Sequence, residues 1–390
     1  MNHDNHGSKA LLNNDFAIVI LAGGRAERLG EPKGLVSVLG QPWLKWQHSV
    51  VSALTTIPPI VVVGFHKDAY ELALTNPTCW DVVHNATPEF GPFSSLQVGV
   101  AHALKAHPNL KGVFVLPVDT AAPIAAVWLA LAEKIATGKF EAAIPTRTNI
   151  NGATWERIEV RPARSGHPVC LSKALCHKIL ALDKSSSTTR LDYVFAELKE
   201  CEKSYVEVED CRPFINMNTK FEWCLFAPVL VPNLHSPLIA KQRLRASIVC
   251  VHNNSLLMIS AREPHSGIVM NFAPGGAIEH GETPAQAAVR ETMEETGLPV
   301  EVYSTAADAA AELIARYYFP WKGLMYDATT HFIAARLLPN GQRPFAPDDA
   351  AIEAIEWVPL SLLQEKLSFF APQSQAIQKL VSVSVNTIRP

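Results

Sequence analysis

The sequence predicts an α/β protein built as two successive domains, and three observations carry that expectation. Short apolar runs alternate with helical stretches from residue 16 to about residue 226, a proline-punctuated segment follows, and strand-like runs then resume around a glycine-flanked acidic helix. Alternating strands and helices specify a layered sheet with helices packed on its faces.

The first element is the apolar run FAIVILA. It is too short to span a membrane and reads as a buried strand. A glycine loop follows, so the backbone N–H groups of Ala22, Gly23 and Gly24 are candidates to cradle phosphates after Leu21, with Arg28 and Lys33 supplying positive charge. Strands are expected at 60–63, 82–84, 113–118 and 142–144, with a helix over 93–106. Together these make a three-layer, Rossmann-like sheet. Asp119 stands at the end of the 113–118 strand, and the carboxyl ends of strands are where open α/β sheets bind ligands. The competing reading of one such Asp is a turn or helix cap.

The stretch APVLVPNLHSPLIAKQ interrupts this alternation and reads as a domain connection, fairly stiff because of its prolines. The expected organisation is a polar tail over 1–15, a first domain over 16–226, a connection over 227–243 and a second domain over 244–390. In the second domain strands are expected at 247–251, 256–260, 329–335 and 355–358, and a last helix at about 374–383.

Residues 275–298, GGAIEHGETPAQAAVRETMEETGL, carry the densest chemistry. Thr283-Pro284 is a helix start, a hydroxyl cap followed by proline at the first helical position. On that helix Glu291 shares a face with Glu294 and Glu295. Like charges so placed raise one another's pKa, so the cluster calls for a hard divalent cation with oxygen ligands. Gly275 and Gly276 leave room for backbone to approach a phosphate. The bland alternative, a solvated acidic face, does not account for the fixed spacing of glycines, arginine and glutamates.

This segment resembles the Nudix box, G-x5-E-x7-R-E-U-x-E-E-x-G-U with U apolar, through Gly276, Glu282, Arg290, Glu291, Glu294, Glu295, Gly297 and Leu298. Thr292 departs from the pattern, standing where an aliphatic is usual. The resemblance implies a Nudix α/β/α sandwich that hydrolyses nucleoside diphosphate derivatives with Mg2+ or Mn2+. Glu291, Glu294 and Glu295 would hold the metal, the Gly275 carbonyl is a further candidate ligand, Arg290 would orient a glutamate and Glu282 would support the loop. Glu353 and Glu356 are candidates for an assisting general base, against the plain alternative of surface residues beside Trp357.

The N-terminal half is similar to the nucleotidyltransferases that attach a nucleotide to molybdenum cofactor. LAGG with EPKGL, the run GVFVLPVDTAAP, and then FGPFSSLQVGVAHAL, RSGHPVCL and PFINMNTKFEW carry that similarity. It implies that Leu21, Ala22, Gly23, Gly24, Arg28 and Lys33 bind a nucleoside triphosphate, GTP or CTP. Asp119 would hold Mg2+, with Asn216 or Asn218 completing the site, and the acceptor would be molybdopterin-like. LAGG is the guanylyl-transferring form, whereas EPKGL, SSLQVG and GHPV look cytidylyl-transferring, so the base stays open. His167 in GHPV is a candidate contact for an acceptor phosphate or a satisfied loop histidine.

Composition bounds the rest. A formal charge of −3 gives no basic stripe for nucleic acid, and 48% apolar content is ordinary for globular domains. Seven cysteines without a C-x-x-C pair indicate neither a disulfide framework nor a zinc site, which fits a reducing cytoplasm. The N-terminus lacks the order of a signal peptide, and its His3 and His6 read as tail. The expectation is a two-headed cytoplasmic enzyme that uses no nucleic acid and no membrane. Its alternatives are a silent nucleotide-binding first domain regulating an active second one and, less favoured, a Nudix-like ligand sensor.

Overall fold

Parallel strands that are apolar along their whole length must be covered on both faces, and such strands form the centre of the sheet in the first half of the chain, with part-polar strands at its edges. In the computed structural model, which describes residues 11–75, 79–147, 165–183, 190–303, 312–347, 349–367 and 371–387, the strands of this sheet are β1 (Phe16–Ala22), β4 (Ile60–Val63), β5 (Asp81–His84), β6 (Gly112–Pro117), β7 (Ala142–Thr146), β8 (Val169–Ser172) and β9 (Lys203–Glu207). A small hairpin of β2 (Ser37–Val38) and β3 (Gln41–Pro42) lies outside that sheet. The seven-stranded order is β5-β4-β1-β6-β8-β7-β9. Pairing is parallel except where β8 runs against β6 and β7.

The order explains where a site can form. The chain leaves β1 on one side through β4 and β5, then returns to place β6 on the other side. The carboxyl ends of β1 and β6 therefore flank a topological switch point, where helices diverge and leave a crevice. Helix Pro92–Ala106 covers one face, with Leu96, Val100 and Ala103 in a core shared with Val19, Val62 and Val115.

The described residues up to 220, with Leu230–Ile239, form one compact unit; Phe221–Val229 and the residues from Ala240 onward form a second. The stretch read as a connection is structured: helix Lys220–Leu230 runs through Pro228, and a 3-10 turn covers Val231–Asn233. Its prolines punctuate a buried path, because Leu230, Val231, Leu234 and Leu238 are all buried. Within the first unit the buried Arg212 fixes that path by donating to the carbonyls of Asn233, Leu234 and Ser236 and to Asp210. Of the N-terminal stretch read as a tail, residues 1–10 lie outside the described residues, while Leu12 is buried and bonds to Leu54.

The second unit centres on two long strands, β10 (Lys241–His252) and β16 (Leu324–Leu337), paired in parallel. Around them lie β11 (Ser255–Arg262), β12 (Val269–Phe272), β13 (Gly275–Ala277), β14 (Val300–Val302), β15 (Glu312–Trp321) and β17 (Ile352–Pro359). Helix Pro284–Thr296 packs its small Ala287 and Ala288 onto Ala246, Ile248 and Cys250 of β10. Pairing of β13 with β10 sets Gly275 opposite Ser247 and Ala277 opposite Arg245. Helix Ala371–Thr387 closes the chain. Among the described residues no helix is long and apolar enough to cross a membrane, and all seven cysteines are free.

Candidate active sites

In the first unit a cleft of about 690 Å3 opens at the switch point, lined by the loop from Leu21 to Arg28 and by Lys33, Asp119 and Asn218. Three residues distant in sequence meet there: Lys33 Nζ donates to Asp119 Oδ2 at 2.8 Å and to Asn218 Oδ1 at 2.9 Å. The fold makes this meeting in two steps. Asp119 lies two residues past the end of β6, and its position is locked because the preceding Val118 carbonyl accepts from both Trp43 Nε1 and Gln47 Nε2, each buried. The Asn216–Asn218 run is then laid alongside, through Thr120 Oγ1 donating to Asn216 Oδ1 and Met217 N–H donating to the Asp119 carbonyl.

Asn216 and Asn218, expected together as alternatives at a metal site, thus have different settings. Asn218 faces the cleft beside Lys33, whereas the Asn216 side chain is engaged by Thr120 and is not among the lining residues. The loop glycines also differ. A Cβ on Gly23 would sit 2.7 Å from Ser95 Oγ, so glycine there is required by packing against the helix, while Gly24 has open space around it. Arg28 lines the cleft and is exposed. Its neighbour Arg25, which sequence reasoning passed over, lies with its guanidinium 4.5 Å from the centre of the Phe65 ring.

Tyr70 was also missed. Its hydroxyl accepts from the Gly34 N–H at 2.9 Å, and burial pushes its pKa up to about 12. It therefore anchors the turn that carries Lys33 as a neutral phenol. No local motif announces it, since a tyrosine inside an ordinary helix carries no spacing signal. His167 is pushed down in pKa by burial, against the nearby Asp119 charge and a bond to the Val115 backbone; its backbone N–H donates to the Pro213 carbonyl, and its Nδ1 is buried with no hydrogen-bond partner among the described residues.

In the second unit, a cleft of about 240 Å3 is bordered by Gly275, Gly276, Glu291, Glu294, Glu295 and Arg245, among others. The helix start is as the sequence implied: Thr283 Oγ1 accepts from Gln286 N–H while Gln286 Oε1 accepts from Thr283 N–H, a reciprocal cap with Pro284 at the first position. Gly297, in the left-handed region at φ 69°, ends the helix. Thr292 is fully buried and donates to the Ala288 carbonyl at 2.7 Å, which explains how a threonine occupies an aliphatic position.

Arg290 is the hub. It donates to Glu282 at 2.7 and 3.0 Å, to Glu291 at 3.1 Å, to Glu294 at 3.0 Å and to the Ala277 carbonyl at 3.0 Å. The Arg290 guanidinium holds Glu282 down at about 2, and Glu282 in turn accepts from the Glu279 N–H, tying the loop to the helix. Glu295 is set differently. Its carboxylate lies inside the protein although the residue as a whole is partly exposed, and burial raises its pKa to about 7 despite the Gly275 N–H bond at 2.8 Å. Burial also raises Glu291.

The three glutamates border one cleft, yet among the described residues no three acidic, histidine or cysteine side chains stand together as a finished cage. Glu291 and Glu294 are drawn to Arg290 and Glu295 to the Gly275 N–H. The donor set nonetheless fits a hard cation. All its atoms are oxygens, two of the carboxyls have raised pKa values that a cation would relieve, and a Cβ on Gly276 would fall 2.2 Å from Glu291 Oε2, showing that the glycine exists to admit that carboxylate. The Gly275 carbonyl accepts from Arg245 at 2.6 Å.

Two expectations need correcting. Glu353 is held in an exposed pair with Arg262, and Glu356 pairs with Lys366; neither borders the cleft. Asp349 does border it. The strand carrying Glu353 and Glu356 is anchored along β11 from Ser255↔Pro359 to Ala261↔Ile352, and the two side chains reach surface cations instead. Arg243 and Arg245 border the cleft as well and were not foreseen, because they lie outside every motif.

Comparison with known proteins assigns a domain description to each half of the chain. The description MobA-like NTP transferase domain matches residues 18–201, and the description NUDIX domain matches residues 241–380. A probable molybdenum cofactor guanylyltransferase of Bacillus anthracis is 26% identical over 216 residues, covering 53% of this chain and 94% of the relative. An 8-oxo-dGTP diphosphatase of Escherichia coli is 34% identical over 82 residues, covering 21% of this chain and 63% of the relative. A solved nucleotidyl transferase from Methanothermobacter is 20% identical with a TM-score of 0.40, covering 54% of this chain and 94% of its own. The chain is a two-domain enzyme in which a MobA-like NTP transferase domain is followed by a NUDIX domain.

Proposed function

We propose that the first domain transfers a nucleotidyl group from GTP or CTP to a phosphorylated, molybdopterin-like acceptor, and that the second hydrolyses a nucleoside diphosphate derivative. The observation that carries the reading is the pair of clefts with opposite charge plans: a lysine bridging Asp119 and Asn218 at a switch point, and an arginine-organised glutamate set beside Gly275 and Gly276. The domains are taken as 16–226 and 244–390, and the setting as the cytoplasm.

In the transfer, an acceptor phosphate oxygen forms a bond to the α-phosphorus as the bond to the β-phosphate oxygen breaks and pyrophosphate leaves. Lys33 and Arg28 face the growing charge, and the Leu21–Gly24 backbone positions the phosphates. Asp119 and Asn218 are the residues that would hold Mg2+ there. In the hydrolysis, Glu291, Glu294, Glu295 and the Gly275 carbonyl would hold Mg2+ or Mn2+, which when bound supplies charge stabilisation to phosphoryl oxygens. Arg290 keeps Glu291 and Glu294 aligned, and Glu282 fixes Arg290.

Fusion of the two heads suggests that the hydrolase removes a related, unwanted nucleoside diphosphate compound and spares the transferase product. A second reading has one observation in its favour: amides at positions 216 and 218 make the first domain a silent binding module. The deciding experiment incubates the full chain with each nucleoside triphosphate, with and without molybdopterin, and separately with a panel of nucleoside diphosphate derivatives, with and without Mg2+. Pyrophosphate release dependent on acceptor supports the transferase. Triphosphate binding without release for any acceptor supports the silent module.

A further inference from the structure

The glycine loop of the first domain is tied down from outside itself. Between Gly24 and Lys33 it is mostly exposed, and Ala26 sits at φ 53°, in the left-handed region that a Cβ disfavours. Such a conformation persists only where the surroundings impose it. Phe65 and His66, which follow β4, do so. His66 Nε2 donates to the Arg25 carbonyl at 2.8 Å, fixing the peptide just ahead of Ala26. The Arg25 guanidinium lies 4.5 Å from the centre of the Phe65 ring. The two backbones leave no room between them, since a Cβ on Gly64 would fall 2.7 Å from the Gly23 carbonyl oxygen. His66 occupies the N-cap position of helix Lys67–Ala73 yet makes no capping bond, so its side chain serves the loop and not its own helix. The same helix carries Tyr70, whose hydroxyl accepts from the Gly34 N–H. One short helix therefore grips both ends of the segment that presents Arg28 and Lys33 to the cleft.

We propose that Phe65 and His66 are positioning residues of the first site: acting through Arg25, they hold the glycine loop in the shape that receives a triphosphate. The proposal rests on the transferase reading for the ligand and goes beyond it in giving Arg25 a task of its own. Arg25 and Arg28 both line the cleft from the same loop, and charge alone would send both to phosphate. Their surroundings divide them. Arg25 is held over an aromatic face, with Glu27 Oε1 3.6 Å from its guanidinium, whereas Arg28 has no such contact among the described residues. A cation already stacked must leave its ring to reach a phosphate, so Arg28 is the phosphate contact and Arg25 the clasp. The hydrogen bond suits that task as well. A carbonyl acceptor needs only the Nε2 proton, which a neutral imidazole keeps, so the hold does not require charge on His66.

Trypsin supplies the test on the full chain, because cleavage of the Arg28–Leu29 bond requires the loop to open and its rate follows the open population. Phe65→Ala, Arg25→Ala and His66→Ala should each raise the rate at that bond about three- to tenfold, the scale of one cation–π contact or one hydrogen bond. Cleavage within the second domain should stay as in wild type, which shows that the variants are folded. Phe65→Tyr keeps the ring face and should remain within about twofold. The double variant Arg25→Ala/Phe65→Ala should match either single one, because both remove the same contact. This readout needs no turnover, so it decides the clasp whether or not the first domain is a transferase. Calorimetric titration with Mg-GTP and with Mg-CTP then separates a clasp from a phosphate contact. For whichever nucleotide binds, the dissociation constants of Arg25→Ala and Phe65→Ala should rise by the same factor, and that of the double variant by no more. Binding of neither nucleotide would count against the transferase reading, and the cleavage rates alone would then decide the clasp. Unchanged cleavage in Phe65→Ala and His66→Ala would overturn the proposal. So would losses of binding that multiply in the double variant, which would make Arg25 a direct phosphate ligand.

Discussion

The two clefts of this chain solve opposite electrostatic problems, and the way each is assembled determines how much of it can be read in advance. In the MobA-like domain one lysine reaches across 86 and 185 residues of sequence to Asp119 and Asn218. The site exists only because strand order brings loop ends together. In the NUDIX domain one arginine gathers Glu282, Glu291 and Glu294 from within a single turn and helix. Local sequence, the helix with the loop just ahead of it, brings those groups together, and tertiary structure adds the depth that raises Glu295.

The sharpest way to break the comparison is to exchange the damage. Glu295→Gln should lower NUDIX hydrolysis on the order of 10^3-fold, since losing an anionic ligand costs several kcal/mol of transition-state stabilisation. Lys33→Ala and Asp119→Ala should each abolish nucleotidyl transfer. Neither change should move the other domain's activity more than about twofold, because each site is built on its own core. Steady-state assays of both reactions on each purified variant check this. Loss of both activities from a folded single variant would show that the two sites are not independent.

Next in size is a pH effect confined to the second domain. Glu295 has a folded pKa of about 7 against an ordinary 4.5, so the folded state holds a proton that the unfolded state releases. The stability this contributes is fully present below about pH 4.5 and is lost as pH rises through 7, amounting to up to about 3 kcal/mol. With a chelator present, denaturant unfolding of wild type should therefore weaken between pH 5 and 8 relative to Glu295→Gln, which lacks the titrating group. Mg2+ should restore stability at pH 8 in wild type and not in the variant. A flat difference between the two proteins across that range would contradict the burial assigned to this carboxylate.

Legibility follows the same division. Strands β1, β4 and β6 were evident as apolar runs, and the capped helix Pro284–Thr296 was evident from Thr283-Pro284 and Gly297, because these signals are local. The support of the first site was not. Trp43 and Gln47 act by gripping the Val118 carbonyl, and Tyr70 by accepting from Gly34, contacts between segments that no spacing encodes. Arg245 was hidden for a related reason: its role depends on the β10–β13 register that sets it opposite Ala277. The structured path at 230–239 was read as a linker because prolines mark turns, and turns occur inside compact units as well as between them.

A smaller effect probes the first site from within. Asn218 touches Lys33 without adding charge, so Asn218→Ala should reduce transfer on the order of tenfold, the scale of one lost hydrogen bond to a charged group. Asn218→Asp should keep or increase Mg2+ affinity. A folded Asn218→Ala protein with wild-type transfer, measured at saturating Mg2+ and triphosphate, would show that the asparagine does not hold the lysine in its working position.

The least effect belongs to the one departure from the box pattern. Thr292 is buried, and its hydroxyl bonds back to the Ala288 carbonyl within the same helix. That carbonyl can still accept the backbone N–H four residues on, so removing the hydroxyl strands no partner, and a methyl in its place meets an apolar core. Thr292→Val should therefore change stability by less than about 1 kcal/mol, the net worth of a replaceable hydrogen bond, and leave hydrolysis unchanged. Thr292→Ala should cost more, because it leaves space beside Ala288 that the helix cannot close. Denaturant midpoints for the two variants and wild type decide the matter: a Val variant destabilised as much as the Ala variant would mean that the hydroxyl, and not the volume, holds this position.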